Sequence, residues 1–149
     1  MQGTVPAIVA AGVLLSACGR SVPVAVEYLD APGTEDLGLP FSSAVRVDNM
    51  LYLSGAIGNA PGTLNLASGG IEAETRQTMD NIKATLEQFG SSMDRVVKCT
   101  VFLADMNEWA AMNDVYRTYF RNAPARSALG ASGLALGARV EIECIATVD

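Results

Sequence analysis

Residues 139–148 read RVEIECIATV, and this stretch decides the fold. Side chains two residues apart on a β-strand lie on the same face, so the stretch divides into two sets. The first set contains only small or apolar residues: Val140, Ile142, Cys144, Ala146 and Val148. The second set carries the charges and consists of Arg139, Glu141, Glu143, Ile145 and Thr147. The alternation predicts a strand that packs its first face against a core and leaves its second face without a helix over it.

Two amphipathic helices are predicted to complete that core. The first spans 71–89 and carries one stripe formed by Thr75, Met79, Ile82, Leu86 and Phe89. The second spans 108–121, with Asn107 as its N-terminal cap. Its stripe is formed by Trp109, Met112, Tyr116, Tyr119 and Phe120. Because each helix has a single apolar stripe, both are expected to cover the same face of one sheet.

The remaining strands are predicted from β-branched and aromatic runs that lie between turn-forming residues. They occupy 24–29, 43–47, 50–56, 95–103 and 125–129. With the last strand and the two helices they give the order β-β-β-α-β-α-β-β. The sequence therefore predicts an α+β fold in which one face of the sheet stays uncovered. That face is expected to be a subunit interface or part of a site.

The composition excludes several kinds of site. The chain has 149 residues and half of them are hydrophobic, so one domain can fold without disulfides or metals. The formal net charge is −6 and only two lysines are present, which disfavours binding to nucleic acid. Histidine is absent, which removes Ser-His, Cys-His and His-metal mechanisms built within this chain. No cysteine spacing is typical of a metal site, so no metal is predicted.

The N-terminus is predicted to be a lipoprotein signal peptide over residues 1–17. Residues 5–17 are uncharged and mostly apolar, too short for a membrane span but as long as a signal-peptide core. The run ends in Leu-Ser-Ala-Cys, which resembles the bacterial lipobox and makes Cys18 the expected lipidated residue. Residues 18–24 would then form a tether, and the domain would cover 25–149.

This segment is compatible with two cellular locations. Gly19 after the lipidated cysteine favours the periplasmic side of the outer membrane by resemblance to bacterial sorting rules. However, residues 1–4 lack the positive charge that normally opens a signal peptide. An ordinary N-terminal extension or a buried strand is the alternative, and the protein would then be cytoplasmic.

Cys99 and Cys144 lie in strand-like segments with apolar neighbours. Such cysteines are most often small, unpaired core residues, and we predict that state for both. An oxidising compartment would permit a disulfide between them, so pairing stays open as the alternative.

Seven short motifs occur along the chain in a recognisable order. They are PFS at 40–42, LSG at 53–55, QTMDNI at 77–82, VKCTVF at 97–102, NDVY at 113–116, PARS at 124–127 and VEIE at 140–143. Together they resemble the Rid family, also called YjgF, and its RidA branch in particular. The resemblance covers roughly residues 28–148, and PARS and VEIE are its most specific motifs.

The resemblance implies a chorismate-mutase-like fold with a single mixed sheet, assembled as a homotrimer with sites in the clefts between subunits. It implies hydrolysis of reactive 2-enamine and 2-imino acids to 2-keto acids and ammonia, without a cofactor. The partners would be a small 2-imino or 2-keto acid and further copies of the chain, with no nucleic acid. Contact with a membrane would occur only through the N-terminal lipid.

The resemblance also assigns catalytic roles to Arg126 and Glu141. Arg126 matches the family arginine that binds the substrate carboxylate, and a guanidinium suits that role because it binds a carboxylate bidentately. Glu141 matches the family acid that orients the attacking water. The alternatives are a structural ion pair for Arg126 and a solvated strand residue for Glu141. Glu143 lies on the same face as Glu141, and only the motif distinguishes the two.

Five further positions are expected to contact substrate because they match family site positions: Phe41, Ser54, Gly55, Asn113 and Ala128. Ser54 has the alternative of a hydrogen bond within its own loop, and Asn113 that of a solvated helix residue. Gly55 permits a close backbone approach. Phe41 stands where many members of the family have tyrosine. Ala128 stands where many have cysteine, and alanine keeps the backbone N–H.

Three functions compete at this point. An imine deaminase requires both Arg126 and Glu141. A lipid-anchored carboxylate-binding or holdase protein would keep Arg126 without needing Glu141. Ribonuclease or translation-inhibitor activity is disfavoured by the negative charge and the absence of histidine.

Overall fold

The computed structural model describes residues 23–31, 34 and 38–149. It contains one mixed sheet with two α-helices packed on one face, as the sequence predicts, but the sheet has seven strands instead of six. The strands are β1 Val26–Leu29, β2 Ala44–Val47, β3 Met50–Leu53, β4 Ala56–Ile57, β5 Val96–Leu103, β6 Ala125–Gly130 and β7 Val140–Thr147. The helices are α1 Gly70–Gln88 and α2 Trp109–Tyr116. The predicted signal peptide and Cys18 lie outside the described residues.

The strand order is β1-β2-β3-β7-β5-β6, with β4 paired to β7 beside β3. All pairs are antiparallel except β5 and β6, which run parallel. Parallel neighbours need a crossover connection, and α2 lies within it. The last strand of the chain is therefore central, and β6 is an edge strand.

The core lies between the sheet and the helices. Four small or apolar residues of β7 are buried, as is Val148 just after it, and the charged and polar residues between them face away from the helices, which confirms the predicted alternation. Thr75, Met79, Ile82 and Leu86 of α1 pack onto this face. Within the described residues, no helix is long and apolar enough to cross a membrane.

The second helix is shorter than predicted. Asp105, rather than Asn107, caps this region, because its carboxylate accepts a hydrogen bond from the backbone N–H of Asn107 at 2.9 Å. A 3₁₀ turn at Met106–Glu108 precedes α2, and a second one at Arg117–Tyr119 follows it. The buried stripe of this helix also differs from the predicted one, because Trp109 is 43% exposed.

The predicted strand 50–56 is interrupted. Tyr52 pairs with Ile145 and Ala56 pairs with Ile142, so three residues of one strand face two residues of β7. This β-bulge separates β3 from β4 and places Ser54 and Gly55 outside the ladder.

Cys99 and Cys144 form a disulfide, so the prediction of unpaired cysteines is wrong. The two residues are buried as expected, each 1% exposed. They lie directly opposite each other on the helix side of β5 and β7, with Cα atoms 4.1 Å apart. That close cross-strand pairing brings the sulfur atoms together, and the local sequence does not reveal it.

We expect reduction of this disulfide to destabilise the domain. The bond joins residues 45 positions apart, and the chain-entropy relation gives about 4 kcal/mol for a loop of that size. The midpoint of thermal unfolding should fall by on the order of 10 °C in the presence of a reductant. The double variant Cys99→Ala/Cys144→Ala is the control and should not respond to reductant. Equal melting of oxidised and reduced wild-type protein would contradict the expectation.

Candidate active site

Arg126 lies on the edge strand β6 and points toward α2. One of its Nη1 hydrogens is donated to Asn113 Oδ1 at 2.6 Å. Its guanidinium carbon lies 4.7 Å from the ring centroid of Tyr116 and 6.0 Å from that of Trp109. The three α2 residues share one side of the helix because they follow the spacing i, i+4, i+7. Arg126 is thus held by a neutral amide and aromatic rings.

The surroundings of Arg126 leave its charge uncompensated. Among the described residues, no carboxylate forms an ion pair with it. Burial raises the pKa of Tyr116 to about 12, although the positive charge of Arg126 opposes that shift. Tyr116 is therefore a neutral phenol at ordinary pH. Asn113 accepts a hydrogen bond from only one N–H group of Arg126, so the other guanidinium N–H groups can bind an anion bidentately.

Glu141 lies on the uncovered face of β7, next to the bulge. A Cβ atom at position 55 would come within 2.9 Å of Glu141 Cδ and would overlap its Oε1. Position 55 must therefore be glycine for the carboxylate to lie where it does. The close approach expected of Gly55 is thus made by Glu141 itself.

The start of β7 is fixed by a buried glutamate. The backbone N–H of Arg139 donates to Glu74 Oε2 at 2.8 Å, and the Arg139 guanidinium pairs with Glu108. Glu74 belongs to α1 and is 6% exposed. These contacts set the position of β7 two residues before Glu141.

The remaining predicted residues lie in different places. Ser54 Oγ donates to the carbonyl of Ser42 at 2.7 Å, which is the loop hydrogen bond considered as the alternative. Phe41 is 53% exposed in the loop before β2. Ala128 lies two residues after Arg126 and packs, partly buried, against the core. The structure thus places Ser54 and Gly55 near Glu141, and Asn113 and Ala128 near Arg126.

Within one chain, Arg126 and Glu141 do not meet. Arg126 pairs in register with Cys99, on the helix side, whereas Glu141 pairs with Phe102, on the uncovered side. Their strands flank β5, so the two backbones are about 10 Å apart across the sheet and about 10 Å apart along it. The candidate site therefore consists of an arginine half and a glutamate half that face in opposite directions.

Sequence reasoning missed Tyr116 and Trp109 as neighbours of Arg126. The apolar stripe predicted for the second helix includes both, which agrees with the burial of Tyr116 but does not indicate its contact with Arg126. Their spacing from Asn113 was the available signal. No cluster of three or more His, Cys, Asp or Glu side chains suited to a metal occurs in the described part of the chain.

Comparisons with known proteins agree with this architecture. The family described as endoribonuclease L-PSP matches residues 35–148. A mouse protein named 2-iminobutanoate/2-iminopropanoate deaminase is 44% identical over 108 residues, which cover 72% of this chain and 80% of that protein.

Solved structures show the same relationship. A Yersinia pestis protein of the Rid family has a TM-score of 0.76 and 38% identity, covering 83% of this chain and 100% of its own. The YjgF gene product of E. coli has a TM-score of 0.75 and 31% identity, covering 81% and 98%. The chain therefore belongs to the Rid/YjgF family, whose matching profile carries the name endoribonuclease L-PSP.

Proposed function

We propose that this protein hydrolyses 2-enamine and 2-imino acids to 2-keto acids and ammonia. The proposal rests on one observation: Asn113 and Tyr116 hold the Arg126 guanidinium in place, and no carboxylate of the described residues neutralises its charge. An α-carboxylate is the group common to all such substrates, and a preorganised guanidinium binds it bidentately. The deaminase name of the mouse relative supports the same chemistry.

Glu141 is proposed to orient the attacking water. The protonated C=N carbon of the substrate is already electrophilic, so water adds to it and gives a proton to the carboxylate. The carboxylic acid then returns this proton to the amino group of the carbinolamine, and the C–N bond breaks as the hydroxyl oxygen forms the C=O bond. The hydroxyl proton leaves with the ammonia as ammonium. The carboxylate must therefore accept and return a proton next to a bound water, which needs no histidine and no cofactor.

The two halves of the site are proposed to meet between subunits of a homotrimer. A single chain directs Arg126 and Glu141 to opposite sides of its sheet, so a shared site needs a second copy. The uncovered face suits such an interface because an apolar row crosses it. This row is formed by Tyr28, Val45, Tyr52 and Ile145, paired in register, and Tyr28 is 75% exposed.

Phe41, Ser54, Gly55, Asn113 and Ala128 complete the proposed site. Phe41, Ser54 and Gly55 would line the glutamate half. Asn113 and the backbone N–H of Ala128 would belong to the arginine half.

Carboxylate binding without turnover is the second candidate function. It is favoured by the fact that the arginine half is complete within one chain, whereas Glu141 is remote. A lipid-anchored binding or holdase protein would use only that half. Nuclease activity, which the profile name suggests, is opposed by the net charge of −6 and the absence of histidine.

The test of the proposed function is release of ammonia and 2-keto acid by the purified protein. An amino-acid oxidase generates the 2-imino acid in the assay, and disappearance of the imine is followed after protein is added. We expect a rate that is proportional to protein concentration and exceeds spontaneous hydrolysis. Binding of 2-oxobutanoate with no such rate would favour the carboxylate-binding function instead.

Lipidation at Cys18 is proposed as the mode of attachment to the outer membrane. The buried disulfide supports export, because disulfides persist in oxidising compartments. We expect the wild-type protein in a bacterial host to fractionate with membranes and Cys18→Ala to become soluble, since stable anchoring requires more than one acyl chain. Identical partition of both proteins into the cytoplasmic fraction would contradict the anchor and favour the cytoplasmic alternative.

A further inference from the structure

The contacts of Arg126 differ from those of an ordinary structural arginine. Four other arginines pair with carboxylates: Arg46, Arg95, Arg117 and Arg139. Arg126 instead meets the amide of Asn113 and the ring face of Tyr116. An amide oxygen and an aromatic face both orient a guanidinium without cancelling its charge.

Tyr116 is well suited to hold that orientation. Its ring is buried, with the residue only 6% exposed, and it packs against Phe120 at a centroid distance of 4.8 Å. Its hydroxyl is buried and has no hydrogen-bond partner among the described residues. The ring face, rather than the hydroxyl, is therefore the part of Tyr116 that contacts Arg126.

We propose that Tyr116 and Asn113 are positioning residues that fix the plane of the Arg126 guanidinium for carboxylate binding. The inference rests on the proposed function for its effect on substrate, but the guanidinium geometry itself is independent of turnover. Tyr116 supplies a flat, neutral surface under the guanidinium. Asn113 fixes the rotation of the guanidinium by accepting from Nη1.

The central variant is Tyr116→Leu, which removes the ring face. The carboxylate of the substrate is unchanged during the reaction, so a misplaced guanidinium weakens binding of substrate and transition state equally. We expect KM and the Kd for 2-oxobutanoate to rise about three- to thirtyfold, the range of a cation–π contact, while kcat changes little.

Two controls separate positioning from packing. Tyr116→Phe keeps the ring face and should keep both constants at wild-type values. Phe120→Leu removes the aromatic neighbour of Tyr116 without contacting Arg126, so it should lower thermal stability like Tyr116→Leu and leave KM unchanged. A rise in KM for Phe120→Leu equal to that for Tyr116→Leu would overturn the inference, and so would equal defects in Tyr116→Phe and Tyr116→Leu.

Asn113→Asp tests the second contact and remains informative if Tyr116→Leu does not fold. An aspartate would ion-pair with Arg126 and compete with the substrate carboxylate, whereas Asn113→Ala only removes the anchor. KM should therefore rise more for Asn113→Asp than for Asn113→Ala. Wild-type KM in both variants would overturn the role of Asn113.

An NMR measurement separates failure of this inference from failure of the proposed function. The Nε–Hε signal of Arg126, assigned by its loss in Arg126→Lys, should show a ring-current shift that Tyr116→Phe keeps and Tyr116→Leu abolishes. A shifted signal in a protein that neither deaminates nor binds a 2-keto acid would reject the function and support the positioning. An Arg126 signal that does not respond to Tyr116→Leu would overturn the positioning, whatever the activity.

Discussion

Glu141→Gln is expected to lower kcat by roughly ten- to ten-thousandfold, the range found when a general base is removed. Glutamine keeps the shape of the side chain and its fit against Gly55, but it accepts a proton poorly. Binding of 2-oxobutanoate should survive, because the carboxylate of that ligand is held by Arg126. The measurement is kcat from imine disappearance together with Kd for the keto acid by calorimetry.

Arg126→Ala provides the contrast in the same experiment. A bidentate pair between charged groups in a cleft is worth a few kcal/mol, so kcat/KM should fall on the order of a hundredfold or more, mainly through KM. Arg126→Lys should recover part of the loss, since an ammonium lacks the planar fork. Glu143→Gln is the matched control on the face that carries Glu141. If Glu141→Gln turns over like wild type while Arg126→Ala no longer binds keto acid, carboxylate binding is the better description.

The fold could be predicted because its determinants are local. The alternation in β7 identifies a strand with one buried face, and one apolar stripe per helix places both helices on that face. The start of the second helix was less predictable, because more than one nearby polar side chain could cap it. Asp105 took the capping role expected of Asn107 because its carboxylate reaches the Asn107 N–H.

Local patterns in the sequence could not decide whether the cysteines pair or on which side of the sheet Arg126 and Glu141 lie, because both depend on long-range strand pairing. Cys99 meets Cys144 only through the register of β5 against β7. Arg126 and Glu141 are close in the sequence, but β5 inserts between their strands. Periodicity also cannot distinguish a tyrosine that only packs in the core from one whose ring contacts a guanidinium, so it predicts only the burial of Tyr116.

Mixing two inactive variants is expected to restore activity if each site takes Arg126 from one subunit and Glu141 from the next. Arg126→Ala supplies an intact glutamate half, and Glu141→Gln supplies an intact arginine half. In a cyclic trimer assembled at random from equal amounts of the two, about a quarter of the sites receive both intact halves. Co-expressed, differently tagged chains should therefore show about a quarter of wild-type kcat per site, with light scattering confirming the trimer.

The control mixture contains wild-type protein and the double variant Arg126→Ala/Glu141→Gln. A shared site again needs two intact neighbours, so about a quarter of the sites remain active, whereas a site within one chain leaves about half active. Activity near half in this control, with no restoration in the first mixture, would place the site within a single chain. The faces argue against that outcome, since Arg126 lies against α2 and Glu141 lies on the side of the sheet that no helix covers. A quarter in both mixtures is the result that only a site between neighbouring subunits explains.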